Sequence, residues 1–350
     1  MPFTIGITTG GGDAPGLNAA IEAVCRTATA RGWTVLGIRD GFDGILTPDN
    51  YPMGDGVSQL RASDVIGIAS SGGTILGAAS TGNPFKEHPV AHVVDKLRTY
   101  GIEALVTVGG DGTQQISNTL HEAGMRVIGA PKTIDNDLVG TVTSFGFDSA
   151  VECVVECIDR LRTTADAHQR TIVVEVMGRH AGWIALHGGL AGDADAILIP
   201  ENPFDIHALA QHIEQRRQTG QRSNLVVVAE GAVAQKGGAI FDSETHRLSG
   251  IGEEVARRLR QLTTQEVRAV NLGHLVRGGT PTASDRLLGL RLGAAVVRAI
   301  ADGKSGIMVA WDGAHTIDVP LKDVAGHTKN VPANSDALTT ARELDIFLGT

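Results

Sequence analysis

The chain has little with which to cross-link itself. Its three cysteines, Cys25, Cys153 and Cys157, are too few for a disulfide framework in 350 residues. Cys153 and Cys157 stand four apart in an apolar-periodic helical pattern over 151–162, where packing is the expected role and a metal pair the remote one. No apolar run reaches the ~20 residues that span a bilayer, and Met1-Pro2-Phe3-Thr4 passes almost directly into strand pattern without a secretory h-region. No membrane association and a cytoplasmic location are therefore expected. Positive charge is also short: 30 Lys and Arg against 39 Asp and Glu leave a formal net charge of −9. That argues against a nucleic-acid partner, and it requires an anionic ligand to be captured by local arginines. Internal repeats, low-complexity tracts and an obvious linker are absent. So are the signatures GxGxxG and GxxxxGK[ST], which disfavours a nicotinamide cofactor and a Walker-type site.

What is present is a chain 42% hydrophobic, ample for two domains with buried cores. Apolar, largely β-branched runs at 33–38, 105–108, 127–130, 171–176, 196–199, 225–229, 267–272 and 307–310 alternate with helical patterns, and 45 glycines supply turns. This alternation predicts an α/β fold of mainly parallel sheets covered by helices.

Three strand ends carry candidate chemistry. The run at 3–8 leads into Thr9-Gly10-Gly11-Gly12-Asp13-Ala14-Pro15-Gly16 and a helical pattern over 17–30; the run at 104–108 leads into Gly109-Gly110-Asp111-Gly112-Thr113 and one over 114–123. Strand, glycines and helix let a phosphate approach backbone N–H groups at a positive helix end. Asp111 in such a loop is placed to hold Mg²⁺ against phosphate oxygens. The third strand end is PKTIDND, Pro131 to Asp137, with Lys132 beside Asp135 and Asp137. Carboxylates two apart in an extended or turning segment can point the same way; one could take a proton while the other holds a metal or steers a hydroxyl. On its own the motif also reads as a solvated Asp/Asn turn. Two phosphate loops without a Walker lysine point to another kind of kinase.

Taken in order, TTGGGDAPGLNAAI, GGDGT, PKTIDND, HQRTIVVEVMGRHAGW and GHLVRGGTPTASDR resemble the motifs of the 6-phosphofructokinase family, from about Ile5 to at least Arg286. The resemblance implies two α/β lobes, 1–146 plus 276–326 binding the phosphoryl donor and 147–275 plus 327–350 binding the sugar phosphate, with the active site in the cleft between them. It implies Asp135 as general base toward the sugar 1-hydroxyl, Thr133 on a transferring phosphoryl oxygen, and Asp137 supporting the Mg²⁺ network or the sugar hydroxyl. Gly11, Gly110, Asp111, Gly112, Thr113 and Lys132 would bind the donor, with Asp111 on Mg²⁺. Met177 and Gly178 would lie against the substrate, Arg179 would neutralise developing charge, and Glu230 would grip sugar hydroxyls. Arg170, Arg268, His274 and Arg277 would hold the 6-phosphate, the first two from a neighbouring subunit, which implies a homo-oligomer, dimer or tetramer, with shared sites. His180 and His187 are read as packing residues near Trp183.

Gly112 leaves room for the α-phosphate of ATP, whereas Lys132 is usual in pyrophosphate-using relatives; ATP is the expected donor and pyrophosphate the alternative. Ser80, with Gly82 as an extra residue, replaces an arginine that bridges donor phosphates in many relatives. Glu22 and Ser71 stand where effector-binding arginines occur, so little response to ADP or phosphoenolpyruvate is expected. Fructose 6-phosphate is the default acceptor, though the same arginines would suit sedoheptulose 7-phosphate or a sulfonated ketose. A NAD-kinase-like enzyme would account for GGDGT but not for HQR, MGRHAGW or GHLVRGG. A non-catalytic sugar-phosphate sensor would not need Asp135.

Overall fold

The computed structural model describes residues 2–78, 82–240 and 248–349. Ser80 lies outside the described residues. Contacts separate the chain into unit 1, Met1–Thr133, Leu138–Asp148 and Arg277–Thr328, and unit 2, Ile134–Asp137, Ser149–Val276 and Lys329–Thr350. The short piece Ile134–Asp137 thus goes with unit 2, whereas the boundary read from the sequence had left it in the first lobe.

In unit 1, β1 (Thr4–Thr9), β2 (Thr34–Ile38), β3 (Val57–Gln59), β4 (Ala104–Gly109), β5 (Val127–Pro131), β10 (Ile307–Trp311) and β11 (Thr316–Pro320) form one sheet in the order β11-β10-β5-β4-β1-β2-β3. Its interior pairs are parallel, and both edges are antiparallel. The inner strands are mostly apolar and mostly buried because both faces are covered. Ile5, Ile7, Val106 and Val108 pack with helices Leu17–Thr29 and Ala283–Ala301 on one face, and Leu105 and Val127 pack with Leu97 and Leu120 on the other. The two edge strands escape the sequence pattern because they are only partly buried or exposed at every position.

In unit 2, β6 (Thr171–Val176), β7 (Ala196–Leu198), β8 (Asn224–Ala229) and β9 (Val267–Asn271) form a parallel sheet in the order β7-β8-β6-β9. β6 and β8 are buried at every position. Helices Ile206–Gln218 and Ile251–Leu262 bury Leu209, Ile213, Val255 and Leu259 against Val173, Val226 and Val228. Among the described residues no helix is long and apolar enough to cross a membrane.

Candidate active site

In unit 1 the parallel register of β1 and β4, Thr9 opposite Val108, sets the loops that follow them side by side. The carboxyl ends of parallel strands are where open α/β sheets present groups to ligands. Thr113 fills the space between these loops: a Cβ on Gly10 would lie 2.4 Å, and one on Gly109 2.2 Å, from its Oγ1, so only glycine fits at either place. The Gly10 N–H donates to the Val108 carbonyl at 2.9 Å. From the end of β5, the buried Lys132 donates through Nζ to the Gly10 carbonyl at 2.7 Å and to that of Gly12. A Cβ on Gly11 would lie 3.6 Å from the same Nζ. Gln114, which sequence reasoning passed over as an ordinary helical residue, donates through Nε2 to the carbonyls of Gly109 and Ala130 and so ties β4 to β5.

GGDGT was read as a loop with a helix from 114, but the helix begins at Asp111 behind Gly110. Asp111, Gly112 and Thr113 therefore form its first turn, where orphan N–H groups and the helix dipole favour an anion. Asp111 accepts the Gly326 N–H on Oδ1 and the Gln115 Nε2 on Oδ2, both at 2.7 Å. A Cβ on Gly112 would meet nothing within 4 Å. No group of three or more His, Cys, Asp or Glu among the described residues could cage a metal by itself. A single carboxylate beside open space does fit Mg²⁺, which keeps its waters and is shared with substrate phosphates.

In unit 2, Asp135 is 3% exposed, and the Arg179 Nε lies 3.6 Å from its Oδ2. Two non-glycine residues here adopt the left-handed region, Asn136 at φ 51° and Arg179 at φ 53°, each costing roughly 1–3 kcal/mol. Glu230, at the end of β8, offsets part of that: its Oε1 accepts the N–H groups of Arg179 at 2.8 Å and of Gly178 at 3.2 Å. Burial pushes the Glu230 carboxyl above its ordinary range, against the lowering effect of those two bonds. Gly178 is required, since a Cβ there would sit 2.7 Å from the Ala181 carbonyl. Met177 is half-buried.

Lys329, which no sequence signal singled out, lies under the same turn. Its N–H donates to the Asp137 carbonyl at 2.7 Å and its Nζ to Asn136 Oδ1 at 3.1 Å, with the ammonium 5.5 Å from the Trp183 ring centroid. Burial lowers its pKa to about 8 although Asp137 pulls it upward.

Within unit 2 the expected 6-phosphate residues Arg170 and Arg268 lie apart from Met177, Gly178 and Arg179. Arg170 and Arg268 stand at the amino ends of β6 and β9, joined by Glu266, whose carboxylate meets Arg170 Nη2 at 3.0 Å and Arg268 Nη2 at 2.5 Å. Met177, Gly178 and Arg179 follow the carboxyl end of β6, about 20 Å away at ~3.3 Å per residue. His274 is exposed just beyond β9. Arg277 instead belongs to unit 1, where its Nη1 donates to the Asp13 carbonyl at 3.3 Å and would lie 2.7 Å from a Cβ on Gly12.

Three further readings are refined. His187 does pack, its ring 5.9 Å from that of Trp183, and burial lowers its pKa, but His180 is exposed. Glu22, read as unable to hold a phosphorylated effector, is buried: it accepts Arg26 Nη1 at 2.9 Å and the Ala69 N–H at 3.1 Å, and so braces helix Leu17–Thr29 against the short helical turn Ile68–Ser70. Cys153 and Cys157 lie in helix Phe147–His168, longer at both ends than expected, with Cys153 Sγ 3.6 Å from the Leu275 carbonyl.

The family model described as Phosphofructokinase matches residues 4–300. The chain is 48% identical over 353 residues to a protein of Chloroflexus aurantiacus named ATP-dependent 6-phosphofructokinase, covering 99% of this chain and 97% of that one. It is 45% identical over 353 residues to pyrophosphate–fructose 6-phosphate 1-phosphotransferase of Amycolatopsis methanolica, covering 99% of each. Among solved structures it resembles phosphofructokinase from Saccharomyces cerevisiae with TM-score 0.79 and 30% identity, covering 98% of this chain and 47% of that chain. It thus spans about half the length of the yeast protein.

Proposed function

The chain belongs to the phosphofructokinase family, and we propose that it transfers the γ-phosphoryl group of ATP to the 1-hydroxyl of fructose 6-phosphate, giving fructose 1,6-bisphosphate. The observation that carries the chemistry is Asp135, buried beside the Arg179 guanidinium. That arrangement aims the carboxylate, so it could hold the attacking hydroxyl in line and accept its proton late in a loose transition state. Arg179, its backbone held by Glu230, would follow charge onto the moving phosphoryl oxygens. Thr133 would donate to one of those oxygens, Asp137 would steer the sugar hydroxyl, and the second oxygen of Glu230 would accept from the sugar while the first keeps the turn. In unit 1, the first turn at Asp111, Gly112 and Thr113, with Gly11 and Gly110, would receive the donor phosphates, and Lys132 would stabilise the leaving phosphate. Mg²⁺ would be held at Asp111 and neutralise phosphate oxygens.

Arg170 and Arg268 lie about 20 Å of strand from Arg179, so one chain's pair cannot serve its own acceptor site. We read them as reaching the 6-phosphate bound by a second copy, next to that copy's His274 and Arg277, in a homodimer or homotetramer. Pyrophosphate as donor is the second reading. Lys132, fixed in the first glycine loop, is the observation that favours it.

Purified protein supplied with fructose 6-phosphate and either ATP or pyrophosphate, with fructose 1,6-bisphosphate measured by a coupled assay, tests this. Turnover with ATP is expected. Turnover with pyrophosphate alone would overturn the donor, and no turnover with either would overturn the activity.

A further inference from the structure

We propose that Lys329 is a positioning residue for phosphoryl transfer, holding the Asp135–Asp137 turn through the Asn136 side chain and the Asp137 carbonyl. The inference rests on the role given to Asp135 above. It concerns a residue beyond the 4–300 segment that the family model matches.

Asn136 sits between the two aspartates in left-handed backbone at φ 51°, so whatever fixes Asn136 fixes the directions of both carboxylates. Asn136 is 4% exposed, and its Oδ1 accepts from Lys329 Nζ at 3.1 Å. The next carbonyl, that of Asp137, accepts the Lys329 N–H at 2.7 Å. Main chain and side chain of one lysine therefore grip two successive residues of the turn.

Lys329 is itself held. Its carbonyl accepts the Trp183 Nε1–H at 2.8 Å, and its ammonium lies over the same indole. Two residues on, the Val331 N–H donates to Glu201 Oε1 at 2.9 Å, and that carboxylate also accepts the Gly182 N–H at 3.0 Å. The stretch of chain at 329–331 thus connects the Asp135 turn to the segment that follows Arg179. An ammonium suits this position because it offers three donors. A lysine serving only to fill space would make the same burial without needing Asn136.

The test uses the full chain with Lys329→Met, which keeps the apolar stem and removes the ammonium, together with Asn136→Ala and the double variant. Lys329→Met is expected to lower kcat by about ten- to a hundredfold, the scale of a misplaced reacting group, while KM for fructose 6-phosphate changes much less. If Lys329 acts through Asn136, Asn136→Ala costs a similar factor and the double variant costs no more than the larger single. Backbone amides at 134–138 should exchange hydrogen faster in Lys329→Met than in wild type. Unchanged exchange overturns the proposal, as does faster exchange with unchanged kcat, or a double variant whose losses multiply. A wild type inactive with both donors would overturn the activity instead, leaving amide exchange to decide on Lys329.

Discussion

In the first glycine loop of unit 1 cations take the carbonyls: Lys132 those of Gly10 and Gly12, and Arg277 that of Asp13. In unit 2 carboxylates shape the turns: Glu230 takes the N–H groups of Gly178 and Arg179, Glu201 that of Gly182, and Glu175 those of Gly250 and Gly252. The difference has a consequence for anions. A loop organised through its carbonyls brings an ammonium and a helix amino end to a phosphate, whereas turns whose N–H groups are already taken by carboxylates must recruit positive charge from side chains. The proposed donor site accordingly uses glycines, Lys132 and a helix start, and the proposed acceptor site calls on arginines.

The largest effect should follow from Asp135, the carboxylate of unit 2 proposed as the general base. Asp135→Asn keeps the shape and removes the base, and kcat should fall by about 10²- to 10⁴-fold with fructose 6-phosphate binding largely intact. A variant with more than about a tenth of wild-type kcat would remove Asp135 from that role.

A carboxylate placed in unit 1 should be nearly as damaging, and selectively so. In Gly112→Asp the new side chain enters open space, so the fold tolerates it, while its charge meets the donor. Two unit charges ~4 Å apart at an effective dielectric of ~20 repel by about 4 kcal/mol, roughly a thousandfold. ATP use should collapse and pyrophosphate use should survive. An unchanged kcat/KM for ATP would show that the nucleotide does not lie over this turn.

Arg268→Ala probes the side-chain cations of unit 2. Arg268 is largely exposed, so the fold should be indifferent, and KM for fructose 6-phosphate should rise by about tenfold or more, as loss of a charge-assisted bond of 1.5–3 kcal/mol implies. Mixed with Asp135→Ala chains under subunit exchange, it should regain activity in hybrids. Verified exchange without complementation would confine each site to one chain.

Much of this was legible in the sequence, and the reasons are local. The β-branched runs gave the inner strands because strands covered on both faces must be apolar. The edges β3 and β11 did not show, being short and half-wet. The glycines of both loops were read as making room for phosphate, but Gly10 and Gly109 are needed for room beside Thr113. Glu230 was visible as a polar group ending a strand; that it first of all holds Arg179 was not. Lys329 had no local signature at all, since its partner Asn136 is 193 residues away.

The smallest effect is one of stability, and it asks whether the carboxylates of unit 2 are costly. Burial raises the Glu230 carboxyl above its ordinary pKa despite the two N–H bonds it accepts. A folded state that binds the proton more tightly than the unfolded one gains from Glu230 fully below the unfolded pKa, ~4.3, and that gain is lost as pH rises through the folded value. Glu230→Gln keeps an oxygen for the Gly178 and Arg179 N–H groups without the charge. Its Tm relative to wild type should therefore rise as pH goes from acid to neutral, even as its activity falls. Glu230→Ala, which abandons both donors, should lower Tm at every pH, by the equivalent of about 1–3 kcal/mol. A Tm difference for Glu230→Gln that is flat or falling with pH would mean that the two backbone bonds outweigh burial and that Glu230 is ionised without penalty.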